Sequence, residues 1–121
     1  MTFNTLSIRA FVGANDFAES RAFYRDFGFE EIVIGATLSC FSYGENVGFY
    51  LQDHAVKDWI DNSMLFLEVD DLDAFQTALH AKNLKLRYPA IRISAIKEEA
   101  WARTLFVHDP SGILWHIAEF V

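Results

Sequence analysis

Phe11-Val12-Gly13-Ala14-Asn15-Asp16-Phe17-Ala18-Glu19-Ser20-Arg21-Ala22-Phe23-Tyr24 returns later in the chain as Phe66-Leu67-Glu68-Val69-Asp70-Asp71-Leu72-Asp73-Ala74-Phe75-Gln76-Thr77-Ala78-Leu79. Phe11 aligns with Phe66 and Asp16 with Asp71 without a gap, an offset of 55 residues in both cases. Each copy opens with alternating apolar residues that suit a strand, passes an acidic step, and then takes up helical spacing. Two copies are too few for a solenoid, which needs at least three repeats to bury a continuous core. They read instead as a duplicated module whose halves bury one another.

Working outward from the first copy, residues 3–13 alternate well enough for a strand. Asp16 caps a helix, and Glu19 three residues later completes a capping-box pattern. Phe17, Ser20, Tyr24 and Phe27, with Phe23 beside them, form one buried face of that helix, and Gly28 ends it. Strand-like runs follow at 30–34, 38–43 and 47–52, the last two joined by a short Gly44-Glu45-Asn46 turn. Residues 54–63 form a polar link with a helical turn and carry Trp59. The second module repeats the plan with a strand at 64–69, a helix through Leu72, Phe75 and Leu79, and strand-like runs at 84–88, 104–108 and 113–119. Residues 89–103 make the longest irregular piece, and loops of that length in a compact domain are usually functional. Asp109-Pro110-Ser111-Gly112 suits a type I turn before the final strand.

The expected fold is therefore α+β: one domain over 1–121, with modules at 3–53 and 64–121. Its two βαβββ units form a curved mixed sheet around a trough, with helices on the outer face. Strand parity turns Arg9, Phe11, Gly48, Tyr50, Met64, Phe66, Glu68, Leu114 and His116 toward the trough. Trp115 and its alternates then face the helices.

Composition narrows the function. The chain has 121 residues, 52% of them hydrophobic and 16% aromatic, enough for a packed core. Its net charge of −7, from 17 acidic and 10 basic residues, disfavours nucleic acid, which is held by Lys and Arg. No apolar run is long enough to span a membrane and no signal-peptide layout opens the chain, so a cytoplasmic protein is expected. Cys40 is the lone cysteine, which leaves no disulfide framework and reads as a small apolar strand residue. His54, His80 and His108 read as loop or surface residues, without ligand spacing among them. There is no Gly-rich phosphate loop and no nucleophile elbow.

A βαβββ duplication with these helix starts, closed by His108-Asp109-Pro110-Ser111-Gly112-Ile113-Leu114-Trp115-His116, resembles the vicinal-oxygen-chelate superfamily. That family includes glyoxalase I, extradiol dioxygenases, fosfomycin-inactivating enzymes and the bleomycin-resistance binding proteins. The resemblance implies a divalent metal held by trough-facing side chains, usually His and Glu. The matching positions here are Arg9, Tyr50, Met64 and His116. Arg carries no lone pair to give, Met is a soft thioether, and Tyr ligates only as a phenolate. One His does not make a metal site. No metal or other cofactor is expected, and no catalytic residue is assigned.

What the resemblance leaves is the ligand-sequestering branch. It implies a small-molecule binder, with Trp101 as a stacking platform, Glu98 and Glu99 supplying charge, and Tyr50 and His116 supplying hydrogen bonds. Arg9, Met64, Phe66 and Glu68 complete the candidate wall. An acidic aromatic trough suits an aromatic or cationic ligand, although Arg9 places a fixed positive charge inside it. Arg9 is expected to pair with Glu68, because an unpartnered buried guanidinium would cost about 3–5 kcal/mol. The resemblance also implies a homodimer in which a second chain helps to close each trough. The alternatives are a glyoxalase-type lyase or isomerase, or a dioxygenase-like enzyme. A metal-free acid/base form of such an enzyme would rest on His116 and Glu68. A trough filled by the chain's own side chains is the third reading.

Overall fold

The computed structural model describes residues 3–121. The repeat folds as the sequence leads one to expect. Strand β1 (Phe11–Gly13) leads into helix α1 (Phe17–Phe27), and β5 (Met64–Glu68) leads into α3 (Leu72–Ala81). The two acidic steps do the same work. Asp16 accepts from the Glu19 amide at 3.1 Å and Asp71 from the Ala74 amide at 3.0 Å, each satisfying a free donor of its helix start. Gly28 closes α1 at a φ of 128°, and a Cβ there would lie 2.2 Å from the Tyr43 hydroxyl. Both backbone and space therefore demand glycine.

The first module is completed by β2 (Glu30–Gly35), β3 (Leu38–Tyr43) and β4 (Val47–Gln52), in the sheet order β1-β4-β3-β2. The link holds helix α2 (Lys57–Asn62), with Trp59 exposed on it. The second module adds α4 (Leu84–Arg87), β6 (Arg92–Ile93), β7 (Lys97–Glu98), β8 (Ala102–His108) and β9 (Leu114–Phe120). Its sheet runs β5-β9-β8-β6, with β7 also on β8. In both halves the first strand lies parallel to the last, pairing Phe11 with Tyr50 and Phe66 with His116. That shared pairing is the duplication seen in three dimensions.

The strands form two sheets, and between β4 and β5 runs a groove of about 210 Å³ lined by Phe29, Phe49 and Trp115. Two expectations change. Regular pairing starts only at Phe11, so residues 3–10 form no strand, and Leu6 and Ile8 stand 85% and 94% exposed. These two share the parity of buried Val12, but no surface of the chain receives them. Finally, residues 84–88 are a helical turn. Leu84 and Tyr88 are buried while Leu86 is 83% exposed, and the Tyr88 amide reaches the Leu84 carbonyl at 2.8 Å. The apparent alternation hid an i, i+4 pair.

The core lies between the helices and one face of each sheet, centred on Tyr24. Its ring meets Phe23, Phe41, Phe49 and Trp115, with centroids 4.8–5.8 Å apart. Its hydroxyl donates to Asp109 Oδ2 at 2.6 Å and accepts from Trp115 Nε1 at 3.0 Å. Asp109 Oδ1 takes the amides of Ser111, Gly112 and Ile113, each at 2.9 Å. Burial pushes the Tyr24 phenol well above its ordinary range, the neighbouring Asp109 carboxylate adds to the rise, and the phenol therefore stays a donor. One side chain of the first module thus fixes the last turn of the second.

Glu31 ties α1 to the first sheet, accepting from Arg21 Nε, Arg25 Nη1 and Ser39 Oγ, each at 2.6 Å. Burial alone would raise its carboxyl, but these three donors outweigh it and lower it to about 2.

Two outcomes follow. Tyr24→Phe strands the Asp109 carboxylate and the Trp115 indole N–H, so the urea midpoint should fall by the equivalent of about 1–3 kcal/mol with an unchanged slope; an unshifted midpoint would contradict this knot. Because the Glu31 pKa is depressed on folding, the stability it contributes is present above the ordinary glutamate range. It is lost as pH falls toward about 2. Glu31→Gln should flatten that acid limb of the stability curve relative to wild type.

Candidate functional site

With one face of each sheet given to the core, the opposite face is left to solvent, and the sequence-predicted Tyr50, Phe66 and His116 lie on it. Phe11 and Tyr50, paired across β1 and β4, stack at 4.9 Å with their planes 25° apart. Arg9 lies over Tyr50, its Cζ 5.8 Å from the ring centroid and its Nη1 3.4 Å from the hydroxyl. Cys40 is in register with Tyr50 and is buried beneath this group.

On the second sheet, pairing places Phe66, His116 and Phe106 in one row across β5, β9 and β8. Phe66 is 5.8 Å from Phe120, 6.3 Å from His116 and 6.4 Å from Trp101, while Phe106 meets His116 edge-on at 4.9 Å. Phe66, Trp101 and Phe120 remain about half exposed (46%, 53% and 51%). They form an aromatic floor that the chain itself leaves uncovered. Trp101 Nε1 donates to Glu99 Oε2 at 3.1 Å, which turns the indole plane.

The next row runs Met64, Leu114, His108 and Arg92. His108 therefore sits on the open face and not in a loop, with its imidazole pKa lowered by burial and by Arg92. Phe106, His108 and Phe120 are floor residues that the sequence reading passed over. The alternation around buried Leu105, Val107 and Ile117 carried the signal.

Two expected contacts are not made. Arg9 and Glu68 form no ion pair; the Arg9 guanidinium is turned to Tyr50 instead. Arg9 is exposed enough to keep its charge with Tyr50 alone. Glu98 does not line the floor. It bonds Arg103 Nε at 3.1 Å, and Arg103 also holds Asp73 on α3 at 2.9 Å, so this cluster belongs to the helix side. Glu99 is shared between Trp101 and Lys97, the latter at 3.4 Å.

The donor set does not fit a divalent cation. Of Arg9, Tyr50, Met64 and His116 only the imidazole is a ready ligand. Among the described residues, no group of three His, Cys, Asp or Glu is placed to hold a metal ion. His116 makes no hydrogen bond with Glu68 among the described residues; it packs against Phe66 and Phe106. Among the described residues no helix is long and apolar enough to cross a membrane.

The floor geometry gives a direct check. Trp101 and Trp59 are exposed and Trp115 is buried. Acrylamide should quench a Trp59→Phe variant through Trp101, and the Trp59→Phe/Trp101→Phe double variant should be left with protected emission from Trp115. Equal accessibility in both variants would contradict the placement of Trp101.

No family model matches the sequence, and no curated protein matches it. The fold, in contrast, matches many solved structures. The bleomycin-binding protein of bleomycin-producing Streptomyces verticillus, complexed with copper(II)-bleomycin, superposes with a TM-score of 0.79 at 19% identity, covering 96% of this chain and 97% of that one. A bleomycin-binding protein complexed with bleomycin gives 0.77 at 20% identity, over 93% and 96%. Lactoylglutathione lyase from Agrobacterium tumefaciens gives 0.69 at 20%, over 93% and 92%. At such identities the likeness speaks for the fold. The chain has the same paired βαβββ fold as these bleomycin-binding and glyoxalase-type structures.

Proposed function

We propose that the protein binds a small aromatic molecule on its open face and holds it unaltered, as a sequestering protein does. One observation carries this reading: the half-exposed floor of Phe66, Trp101 and Phe120, edged by His116. Stacked and tilted rings offer a flat partner large contact area at little entropic cost. Solved structures of the same fold include proteins complexed with bleomycin. The chemistry of the open face supports binding over turnover, because neither a metal-ligand set nor an oriented acid/base pair is assembled there.

The working unit in this proposal is a cytoplasmic homodimer. The outer strands β1 and β5, the groove between β4 and β5 and the exposed Leu6 and Ile8 of the leading segment are surfaces that a second copy would cover. Each trough is then closed by the partner and not by the chain that floors it.

Titration with a planar aromatic probe should quench Trp101 emission in wild type and not in Trp101→Ala, and the probe should be recovered chemically unchanged after prolonged incubation. Conversion of a glyoxalase-type substrate would favour the enzymatic reading instead. In sedimentation, wild type should run at twice the 13.9 kDa chain mass. A Leu6→Asp/Ile8→Asp variant should shift toward the monomer. A wild type that is monomeric across the micromolar range would overturn the dimer.

A further inference from the structure

The helix side of the molecule is not closed everywhere. At the junction of the two modules, hollows of about 70 Å³ and about 250 Å³ share the rings of Tyr43, at the end of β3, and Phe75, on α3. Leu79 and Lys82 line the smaller one, while Val47, Leu67 and Val69 line the larger. Tyr43 and Val47 are 40% and 44% exposed, so the junction opens to solvent. Phe66, Trp101, Phe120 and His116 border neither hollow, which sets this place apart from the aromatic floor. Together the hollows stand at the lower end of the size range of small-molecule pockets, and that suits a slender hydrocarbon chain better than fused rings.

The two ends differ in charge. Lys82 borders only the smaller hollow and Glu68 only the larger. Lys82 Nζ donates to the carbonyls of Asp26 and Phe27, at 2.9 and 3.0 Å, where α1 ends. An ammonium has three donors, so one is left over. Among the described residues it meets no carboxylate, and the carboxylate of Asp26 is taken by the Tyr88 hydroxyl at 2.5 Å and by Arg87 at 3.0 Å. The Tyr43 hydroxyl makes no hydrogen bond among the described residues. It lies against the same glycine as the ammonium: a Cβ on Gly28 would be 2.2 Å from the hydroxyl and 3.5 Å from Lys82 Nζ. The two donors are therefore close enough for one carboxylate to meet both.

We propose that this junction is a second binding site, for a medium-chain carboxylate. Its head rests on Lys82 Nζ and the Tyr43 hydroxyl, and its chain runs past Phe75 along Leu67 and Val69. The charge-assisted hydrogen bond fixes the head, and apolar burial holds the chain. Glu68 at the other end repels a reversed carboxylate, so the molecule enters one way round. The site does not depend on the aromatic binding function proposed above.

A matched series separates head from chain: octanoate, octanol and octylammonium, titrated by calorimetry and followed by amide chemical shifts. Octanoate should bind about tenfold more tightly than octanol, as a charge-assisted hydrogen bond allows, and should shift Phe75, Leu79 and Lys82. Octylammonium should bind no better than octanol. Lys82→Gln should remove the preference for octanoate and leave octanol unchanged. Because Lys82 also ties α3 to the end of α1, Tyr43→Phe is the second variant: it breaks no hydrogen bond among the described residues, and should weaken octanoate about threefold while sparing octanol. Raising salt should likewise weaken octanoate alone. Trp101→Ala should bind octanoate as wild type does. Equal binding of octanoate and octanol, or a preference for octylammonium, would overturn the carboxylate site, and loss of octanoate binding in Trp101→Ala would move the chain to the aromatic floor. Failure of octanoate to bind while a planar aromatic probe still quenches Trp101 would remove this site and leave the proposed function standing.

Discussion

The hydroxyl of Tyr24 is the point on which this structure turns. It donates to Asp109 and accepts from Trp115, while Asp109 gathers three amides of the last turn. A helix of the first module is thereby joined to the turn and final strand of the second, inside a shell of Phe23, Phe41 and Phe49. Polar groups so deep must all be satisfied, and here each has its partner. The consequence is that the helix side of both sheets is committed to one shared core.

The other side is defined by that commitment. Alternation along every strand sends the remaining side chains to the opposite face. There, among the described residues, the aromatic rings have no helix to cover them. A packed trough would have hidden Phe66, Trp101 and Phe120, yet all three stay about half exposed. The face therefore presents half-exposed rings beside an outer strand edge, which is what the proposed binding function rests on.

Much of this could be read from the sequence, for identifiable reasons. The 55-residue repeat, the two Asp caps and the Asp109 turn are local signals, and each has a local cause in backbone hydrogen bonding. Strand parity placed Tyr50, Phe66 and His116 correctly on the open face because a period of two survives any twist of the sheet. Parity fails where a short segment serves two periods at once, as at Leu84–Tyr88, where one helical turn imitates a strand. It also cannot say which residues are level across a sheet. Arg9 was matched with Glu68 by charge and face, when its guanidinium turns to Tyr50. Glu98 was assigned to the floor by proximity to Trp101, when Arg103 draws it to the helix side. The exposed leading segment had the pattern of a strand and lacked only an edge to receive it.

The central claim is the proposed one, that the open face binds an aromatic molecule without help from a divalent cation. The most direct measurement is calorimetric titration of a planar aromatic probe into protein first stripped with EDTA and then resupplied with zinc, nickel or manganese. The account predicts the same affinity and stoichiometry in every case. Binding that appears only after one equivalent of a divalent ion has been taken up would contradict it.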